Sequence, residues 1–271
     1  MRIGIVAPSG RFTHEAAERV QALASARGDV ELVVHLQCFL SDGHFAGPDA
    51  ARLAAFVEMA NDPAIDALWF ARGGYGACRI AAEAVAALEP AARDKAYLGY
   101  SDGGYLLAGL YRAGFAQLAH GPMPHDIVRP GGEAAVARAL DWLVARSPTA
   151  LDPNIETGEP HAAFNLTVLG LLLGTPLEPD LGGHVLMVEE VAEHAYRTDR
   201  AMFHLTSQAG MQRIKGIRLG RVSDIPPNDP EFGASGEEIV RYWCERSGIP
   251  FLGAADIGHD PDNKVVPFGR L

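Results

Sequence analysis

Apolar runs alternate with helical repeats along the first half of the chain. Runs that are apolar at successive positions predict strands at residues 2–8, 30–36, 65–72 and 96–101. Apolar residues at helical spacing predict helices at residues 13–27, 49–63, 79–90 and 105–114, with Thr13 as a cap for the first of them. Strands that are apolar on both faces and separated by helices indicate a parallel sheet covered on both sides.

The pattern changes after a further predicted helix at residues 134–146. Residues 147–161 are rich in Pro, Asp, Thr and Gly, which is typical of a linker. The predicted elements beyond it are strands at 183–191, 216–222, 250–256 and 263–269, and helices at 195–210 and 236–248. We therefore predict an α/β protein with two domains, at residues 1–145 and 163–271, joined by a linker at 146–162; the second domain is smaller and α+β.

Composition narrows the class of protein. The chain has 271 residues, a formal net charge of −11 and no run of Lys and Arg, so a nucleic-acid partner is not expected. Its three cysteines lie far apart without a C-x-x-C pair, which favours a reducing compartment. No stretch reaches about 18 uninterrupted apolar residues, and the first apolar run is too short for a signal peptide. We expect a cytosolic protein that does not enter a membrane.

The segment Gly99-Tyr100-Ser101-Asp102-Gly103 joins a predicted strand to a predicted helix. It fits the G-x-S-x-G nucleophile elbow, in which the flanking glycines permit a sharp turn that exposes the serine Oγ. The N-terminus of the following helix would also favour the negative charge of a tetrahedral intermediate. The alternative is that Ser101 or Asp102 only caps that helix.

A nucleophilic serine needs a base, and the base needs an acid that orients it. Among the ten histidines, His259 differs because it follows a predicted strand on a loop rich in Gly, Asp and Pro, where functional residues are common. Glu189 and Glu190 end an apolar strand, and both are candidates for the acid. The alternative for these two residues is that they are ordinary solvated carboxylates.

A second unusual run, Arg72-Gly73-Gly74-Tyr75-Gly76, also follows a predicted strand. Its backbone N–H groups suit an anion or an oxyanion, although a plain turn would have the same composition. In parallel sheets ligands bind at the carboxyl ends of the strands, where this run and Ser101 are both expected. The chain has neither a G-x-x-x-x-G-K-[ST] nor a G-x-G-x-x-G motif, so we expect no nucleotide-phosphate loop. We also expect no cofactor and no metal.

Four segments resemble, in order, those of the LD-carboxypeptidase family (muramoyltetrapeptide carboxypeptidases): "ARGGYGACR", "LGYSDGGYLLAGLYRAGFAQLAHGPM", "VLMVEEVAEHAYRTDRAM" and "GIPFLGAADIGHD". The resemblance extends from residue 5 to residue 269. It implies a Rossmann-like N-terminal domain, a β-rich C-terminal domain and a site between them. It also implies a cytosolic homodimer that removes the terminal D-Ala from a murein tetrapeptide during cell-wall recycling.

The resemblance implies a triad of Ser101 as nucleophile, Glu189 as acid and His259 as base. These three residues are also candidates on their sequence context alone. Glu190 and Glu193 fill the other acidic positions of the same block.

The resemblance further implies an oxyanion hole made by the backbone N–H groups of Gly74 and Asp102. Tyr75 and Asn165 lie in matching blocks and are candidate substrate-binding residues. Arg72 is a third, because a carboxypeptidase must recognise a free carboxylate and a guanidinium does so well.

The family usually has G-G-N-L where this chain has Ala163-Phe164-Asn165-Leu166. The bulk of Phe164 is expected to narrow the pocket. The identity of the substrate is therefore left undecided between several alternatives. One alternative is a serine peptidase that acts on another small peptide conjugate, such as the peptidyl-nucleotide of the related microcin-immunity peptidases. The order Ser, Glu, His also matches an α/β-hydrolase-like esterase. The non-enzyme alternative is a protein that only binds a carboxylate through the Arg72 loop.

Overall fold

A computed structural model describes all 271 residues as two sheets with helices packed against them. The first half contains strands β1–β5, at Arg2–Val6, Glu31–Val34, Ala67–Phe70, Ala96–Gly99 and Leu118–His120. Its helices α1–α5 are His14–Arg27, Asp49–Asn61, Ala77–Ala86, Gly104–Arg112 and Gly132–Ala145. Each predicted strand and helix of this half is confirmed, and the hydroxyl of Thr13 caps α1 by accepting from the Ala16 N–H.

The second half contains strands β6–β10, at His161–Asn165, Val185–Val191, Gly216–Ser223, Phe251–Ala254 and Val266–Pro267. Its helices α6–α8 are Leu166–Leu172, Ala195–Ser207 and Gly236–Ser247. None of the helices in the structure combines the length and the apolar character that crossing a bilayer would require.

The first sheet has the strand order β10-β5-β4-β3-β1-β2, and β1 to β5 are parallel. Strands β3, β4 and β5 are buried at every position, as expected for strands covered on both faces. Because β2 and β3 lie on opposite sides of β1, the strand order reverses between β1 and β3. Such a switch point opens a crevice at the carboxyl ends of the strands.

The second sheet is parallel throughout, in the order β6-β7-β8-β9. The predicted α/β class is confirmed. Helices α6, α7 and α8 alternate with the strands as crossovers, which parallel neighbours require. The predicted strand at 263–269 shortens to β10 and joins the first sheet, antiparallel to β5.

The two halves share one apolar core. A cluster of 43 buried side chains contains Phe70 and Leu106 from the first half together with Phe164 and Leu186 from the second. The predicted boundaries at residues 145 and 163 therefore separate two sheets rather than two cores, and they remain a prediction.

His120 at the end of β5 gives the fold a pH-dependent stability. Burial lowers the pKa of His120 to about 3, whereas an unfolded histidine titrates near its ordinary value of 6.5. The unfolded chain therefore binds the proton first as the pH falls, and stability is lost between about pH 6.5 and pH 3.

We expect His120 to remove about 2 kcal/mol from the free energy of unfolding between pH 7 and pH 5. Urea denaturation of the parent and of His120→Asn at both pH values measures this loss. The variant should lose that much less on acidification. An equal loss in both proteins would assign the pH dependence to other groups.

Candidate active site

Ser101 lies on a strained turn between β4 and α4. It has a φ of 56°, in the left-handed region that residues other than glycine seldom adopt. A Cβ at Gly99 would lie 2.4 Å from Cδ2 of Phe70, and a Cβ at Gly103 would lie 2.8 Å from the same atom. Both glycines of the predicted elbow are therefore needed for packing, and the turn between them holds Ser101 at the carboxyl end of the sheet.

The capping alternative does not describe this turn. Helix α4 has no side-chain cap, and the side chain of Asp102 points elsewhere. Asp102 is buried, and its Oδ2 accepts from the Ser9 hydroxyl at 2.5 Å and from the Ala77 N–H, the first residue of α3, at 2.8 Å. Burial raises the pKa of Asp102. This carboxyl thus ties the turn of the serine to the loops that follow β1 and β3.

Asp102→Asn is expected to lower kcat by roughly ten- to a hundredfold with a smaller change in KM, because the uncharged amide oxygen accepts the bonds from Ser9 and Ala77 more weakly than a carboxylate oxygen does. Steady-state kinetics and a urea melt of the same preparation measure the effect. Ser9→Ala, which removes only one donor, should cost less. A variant that loses stability but keeps kcat would show that Asp102 does not position the site.

Glu189, on β7 of the second sheet, and His259, on the loop after β9, form a buried pair. Nδ1 of His259 lies 2.6 Å from Oε2 of Glu189, whose side chain is fully buried on β7. This contact assigns the Nδ1 proton to the carboxylate and leaves Nε2 for other partners. A Cβ at Gly220 of β8 would lie 3.0 Å from the Cβ of Glu189, so a glycine there makes room for the acid.

The loop that carries His259 is fixed on both sides. The Gly258 N–H donates to Oδ1 of Asn263 at 3.2 Å, and the guanidinium of Arg129 donates to the His259 carbonyl. The imidazole lies against the ring of Tyr100, with ring centroids 4.9 Å apart. Residues from both halves of the chain therefore hold the imidazole in one orientation.

A cavity of about 280 Å³, here called the nucleophile cavity, brings the predicted residues together. Ser101, His259, Arg72, Gly73 and Gly74 line it, and Glu189 lies behind the imidazole. A Cβ at Gly73 would lie 2.9 Å from the Cβ of Ser101, so only glycine lets the loop after β3 approach the serine this closely. No group of three or more His, Cys, Asp or Glu side chains in the chain is arranged to hold a metal ion.

Two candidate substrate residues lie outside the nucleophile cavity. Asn165 is buried; its Oδ1 caps α6 by accepting from the Val168 N–H, and its Nδ2 donates to Oε1 of Glu190 at 2.7 Å. Tyr75 is half exposed, with its ring 6.0 Å from that of Phe45. Glu190 is buried rather than solvated, and burial raises its pKa.

The expectation that Phe164 narrows the pocket is wrong. Its side chain is 1% exposed and belongs to the apolar core, where its ring lies 5.2 Å from that of Phe268. A Cβ at Gly104 would lie 3.3 Å from Cδ1 of Phe164, so the ring fills space beneath α4. Successive side chains of β6 point to opposite faces, and Phe164 takes the core face.

The segment after β5 supplies site residues that the sequence analysis did not identify. Asp126 is buried; it accepts from the Tyr100 hydroxyl at 2.9 Å and forms an ion pair with Arg129 at 3.3 Å. His125 also lines the nucleophile cavity, and burial together with Arg72 and Arg129 lowers its pKa to about 4. The available signal was the run of Gly and Pro directly after an apolar strand, at the same sheet edge as Ser101.

Comparison with known proteins agrees with this architecture. Residues 3–121 match the LD-carboxypeptidase N-terminal domain, and residues 162–271 match the LD-carboxypeptidase C-terminal domain. A protein of Bacillus subtilis (strain 168) named "Probable murein peptide carboxypeptidase" is 31% identical over 84% of this chain and 74% of its own length. The murein tetrapeptide carboxypeptidase of Pseudomonas aeruginosa is 26% identical over 99% of this chain and 91% of its own.

Solved structures show the same fold. The muramoyltetrapeptide carboxypeptidase from Oxalobacter formigenes superposes with a TM-score of 0.82 and 25% identity, covering 98% of this chain and 93% of that one. The microcin C7 self immunity protein MccF superposes with a TM-score of 0.78 over 99% of this chain and 91% of that one, at 18% identity. The chain is thus a peptidase. It belongs to the LD-carboxypeptidase family.

Proposed function

We propose that Ser101 is the nucleophile, His259 the general base and Glu189 the orienting acid of a serine carboxypeptidase. The observation that carries the proposal is the 2.6 Å contact between Glu189 and His259 Nδ1, behind a cavity that both the imidazole and the strained Ser101 line. His259 Nε2 takes the proton of the Ser101 hydroxyl as Oγ attacks the carbonyl carbon. The imidazolium then gives this proton to the leaving amine. Water, deprotonated by His259 in the same way, attacks the acyl-enzyme, and the serine hydroxyl is restored.

The developing oxyanion needs donors that are in place before the reaction. The proposed donors are the backbone N–H groups of Gly74 and Asp102. Gly74 has a φ of 111°, which other residues rarely adopt, and it lines the nucleophile cavity. Asp102 directly follows the serine, and its side chain binds both Ser9, in the loop after β1, and Ala77, after the loop that follows β3.

The proposed substrate is a murein tetrapeptide, whose terminal D-Ala is released by cleavage of an L,D-peptide bond. The names of the relatives support this choice, and so does Arg72, which lines the nucleophile cavity without a hydrogen-bonding or ion-pair partner in the protein. A free guanidinium beside the nucleophile suits the terminal carboxylate of an exopeptidase substrate. Asn165 and Tyr75 would act indirectly, through the loops they support.

The proposed setting is cell-wall recycling in the cytoplasm by a homodimer, as the family resemblance implies. Tyr196, Phe203 and Tyr242 are exposed on the adjacent helices α7 and α8, and an apolar face of this kind is common at subunit interfaces. Light scattering during gel filtration measures the oligomeric state.

Mass-spectrometric product analysis with murein tetrapeptide tests the proposed function. Release of D-Ala and the tripeptide supports it. Intact tetrapeptide, together with cleavage of a peptidyl-nucleotide or of simple esters, would replace it with one of the alternative hydrolases. Binding without turnover of any of these would indicate a carboxylate-binding protein.

Amidation of the terminal D-Ala is expected to lower kcat/KM by roughly ten- to a hundredfold, because the charge-assisted bond to Arg72 is lost. The tetrapeptide and its amide are compared in one assay. Arg72→Gln should lose the same factor on the acid and little on the amide. Equal cleavage of acid and amide by the parent would contradict an exopeptidase, whatever the role of Ser101.

A further inference from the structure

A second cavity of about 350 Å³ lies on the other side of the loop after β3, and we call it the switch-point cavity. Its lining includes Arg11, Ser41, His44, Phe45 and Gly74. These residues follow β1, β2 and β3, so the cavity occupies the crevice where the strand order of the first sheet reverses. In open parallel sheets this crevice is the usual ligand site.

The two cavities are adjacent. Arg72, Gly73 and Gly74 line both of them. The Gly10 N–H donates to the Gly73 carbonyl at 3.1 Å, which joins the loop after β1 to the loop that touches Ser101. The two cavities therefore lie against the same loop, at Arg72, Gly73 and Gly74.

Arg11 lines this cavity together with Arg72, and the guanidinium of Arg11 has no hydrogen-bonding or ion-pair partner in the protein. Its neighbours differ. Arg52 and Arg79 both lie over the ring of Phe45, and both are paired with Asp49. In a chain with a formal net charge of −11, Arg11 and Arg72 are two unpaired guanidinium groups around a single loop.

The position of the cleaved bond decides which part of a substrate can reach Arg11. A carboxypeptidase releases a single terminal residue, and the proposed function places the carboxylate of that residue at Arg72 in the nucleophile cavity. The rest of the peptide is on the acyl side of the scissile bond, and only this side is long enough to extend further. Each residue of extended chain spans about 3.3–3.6 Å, and the two cavities share three lining residues, so the acyl side of the substrate is the part that can extend from one cavity into the other.

We propose that the switch-point cavity is a second anion subsite, in which Arg11 binds a carboxylate on the acyl side of the substrate. Ser41 and His44 on its wall offer further polar groups. This inference rests on the proposed carboxypeptidase function. Murein stem peptides offer two such carboxylates: the α-carboxylate of the γ-linked D-glutamate, and the distal carboxylate of diaminopimelate where that residue replaces lysine.

Four tetrapeptides separate these sources: D-glutamate or D-isoglutamine at the second position, each combined with diaminopimelate or L-lysine at the third. The parent enzyme should lose roughly ten- to a hundredfold in kcat/KM, mostly through KM, when the bound carboxylate is absent. Arg11→Gln should show that loss on the complete peptide and no further loss on the peptide that lacks the carboxylate. The peptide position, second or third, at which removing the carboxylate also removes the difference between the parent and Arg11→Gln identifies the carboxylate that Arg11 binds.

Arg19→Gln is the matched control, because Arg19 is an arginine of α1 that forms an ion pair with Glu15 at 3.9 Å, outside both cavities. It should behave as the parent does on all four peptides. Equal cleavage of the four peptides by the parent would overturn the subsite and leave the carboxypeptidase intact. An Arg11→Gln loss of the same size on all four would overturn it too, because it would indicate a structural role. Cleavage of none of the four would instead overturn the proposed function, and the subsite with it.

Discussion

Ser101→Ala is expected to lower kcat/KM by a factor of roughly 10⁴ to 10⁶, because the reaction loses its nucleophile while the oxyanion donors and the substrate contacts remain. Alanine keeps the Cβ and therefore keeps the left-handed strain at φ 56°, so the free energy of unfolding should hardly change. D-Ala release and urea denaturation measure the two quantities. Labelling by a fluorophosphonate should disappear together with turnover.

Two further variants make this result specific. Ser25→Ala removes a hydroxyl from the exposed face of α1 and should retain parental activity. Ser101→Gly should be equally inactive but more stable by about 1 kcal/mol, because glycine adopts this φ without steric cost. Activity of Ser101→Ala within about tenfold of the parent would remove Ser101 from the proposed mechanism.

Glu189→Gln should lower kcat by about 10⁴. The amide has nearly the shape of the carboxylate, but it has no charge to stabilise the imidazolium. Its NH₂ group also donates towards Nδ1, which favours the tautomer with the proton on Nε2, and that tautomer cannot accept the proton of Ser101. Steady-state kinetics of the single variant measure this effect.

The matched control is Glu193→Gln, which alters a more exposed acid of the same block, paired only with Arg197. It should stay within a few-fold of the parent. If Ser101, His259 and Glu189 act as one unit, Ser101→Ala combined with Glu189→Gln should be no slower than Ser101→Ala alone. Multiplication of the two losses would show that Glu189 contributes independently of the serine.

Local patterns predict the parts of the site that depend on neighbours in sequence. The elbow could be predicted because Gly99 and Gly103 flank Ser101 within one turn, between an apolar strand and a helix. Glu189 and His259 stood out because each follows an apolar run near a sheet edge. Their contact joins residues 70 positions apart, and only the resemblance to a family chose Glu189 over Glu190.

The rest depends on packing between distant segments, for which the sequence has no local signal. Asp126 and Arg129 reach the site only because β5 is parallel to β4 and ends beside Ser101. The orientation of Phe164 depends on which face of β6 meets the core, and the alternation is too short there to decide it. Strand β10 has only two residues, and its partner lies in the other half of the chain.

The pairing of β10 with β5 has a consequence for how the protein folds. The edge of the first sheet is completed by Val266 and Pro267, which come after every strand of the second sheet. The first half therefore leaves the edge of β5 open until the second half is in place, and such an edge is liable to pair with other chains. Because the two sheets also share one core, we expect heat or denaturant to unfold them together, and a change that loosens either sheet should also loosen the His259 loop that connects β9 to β10.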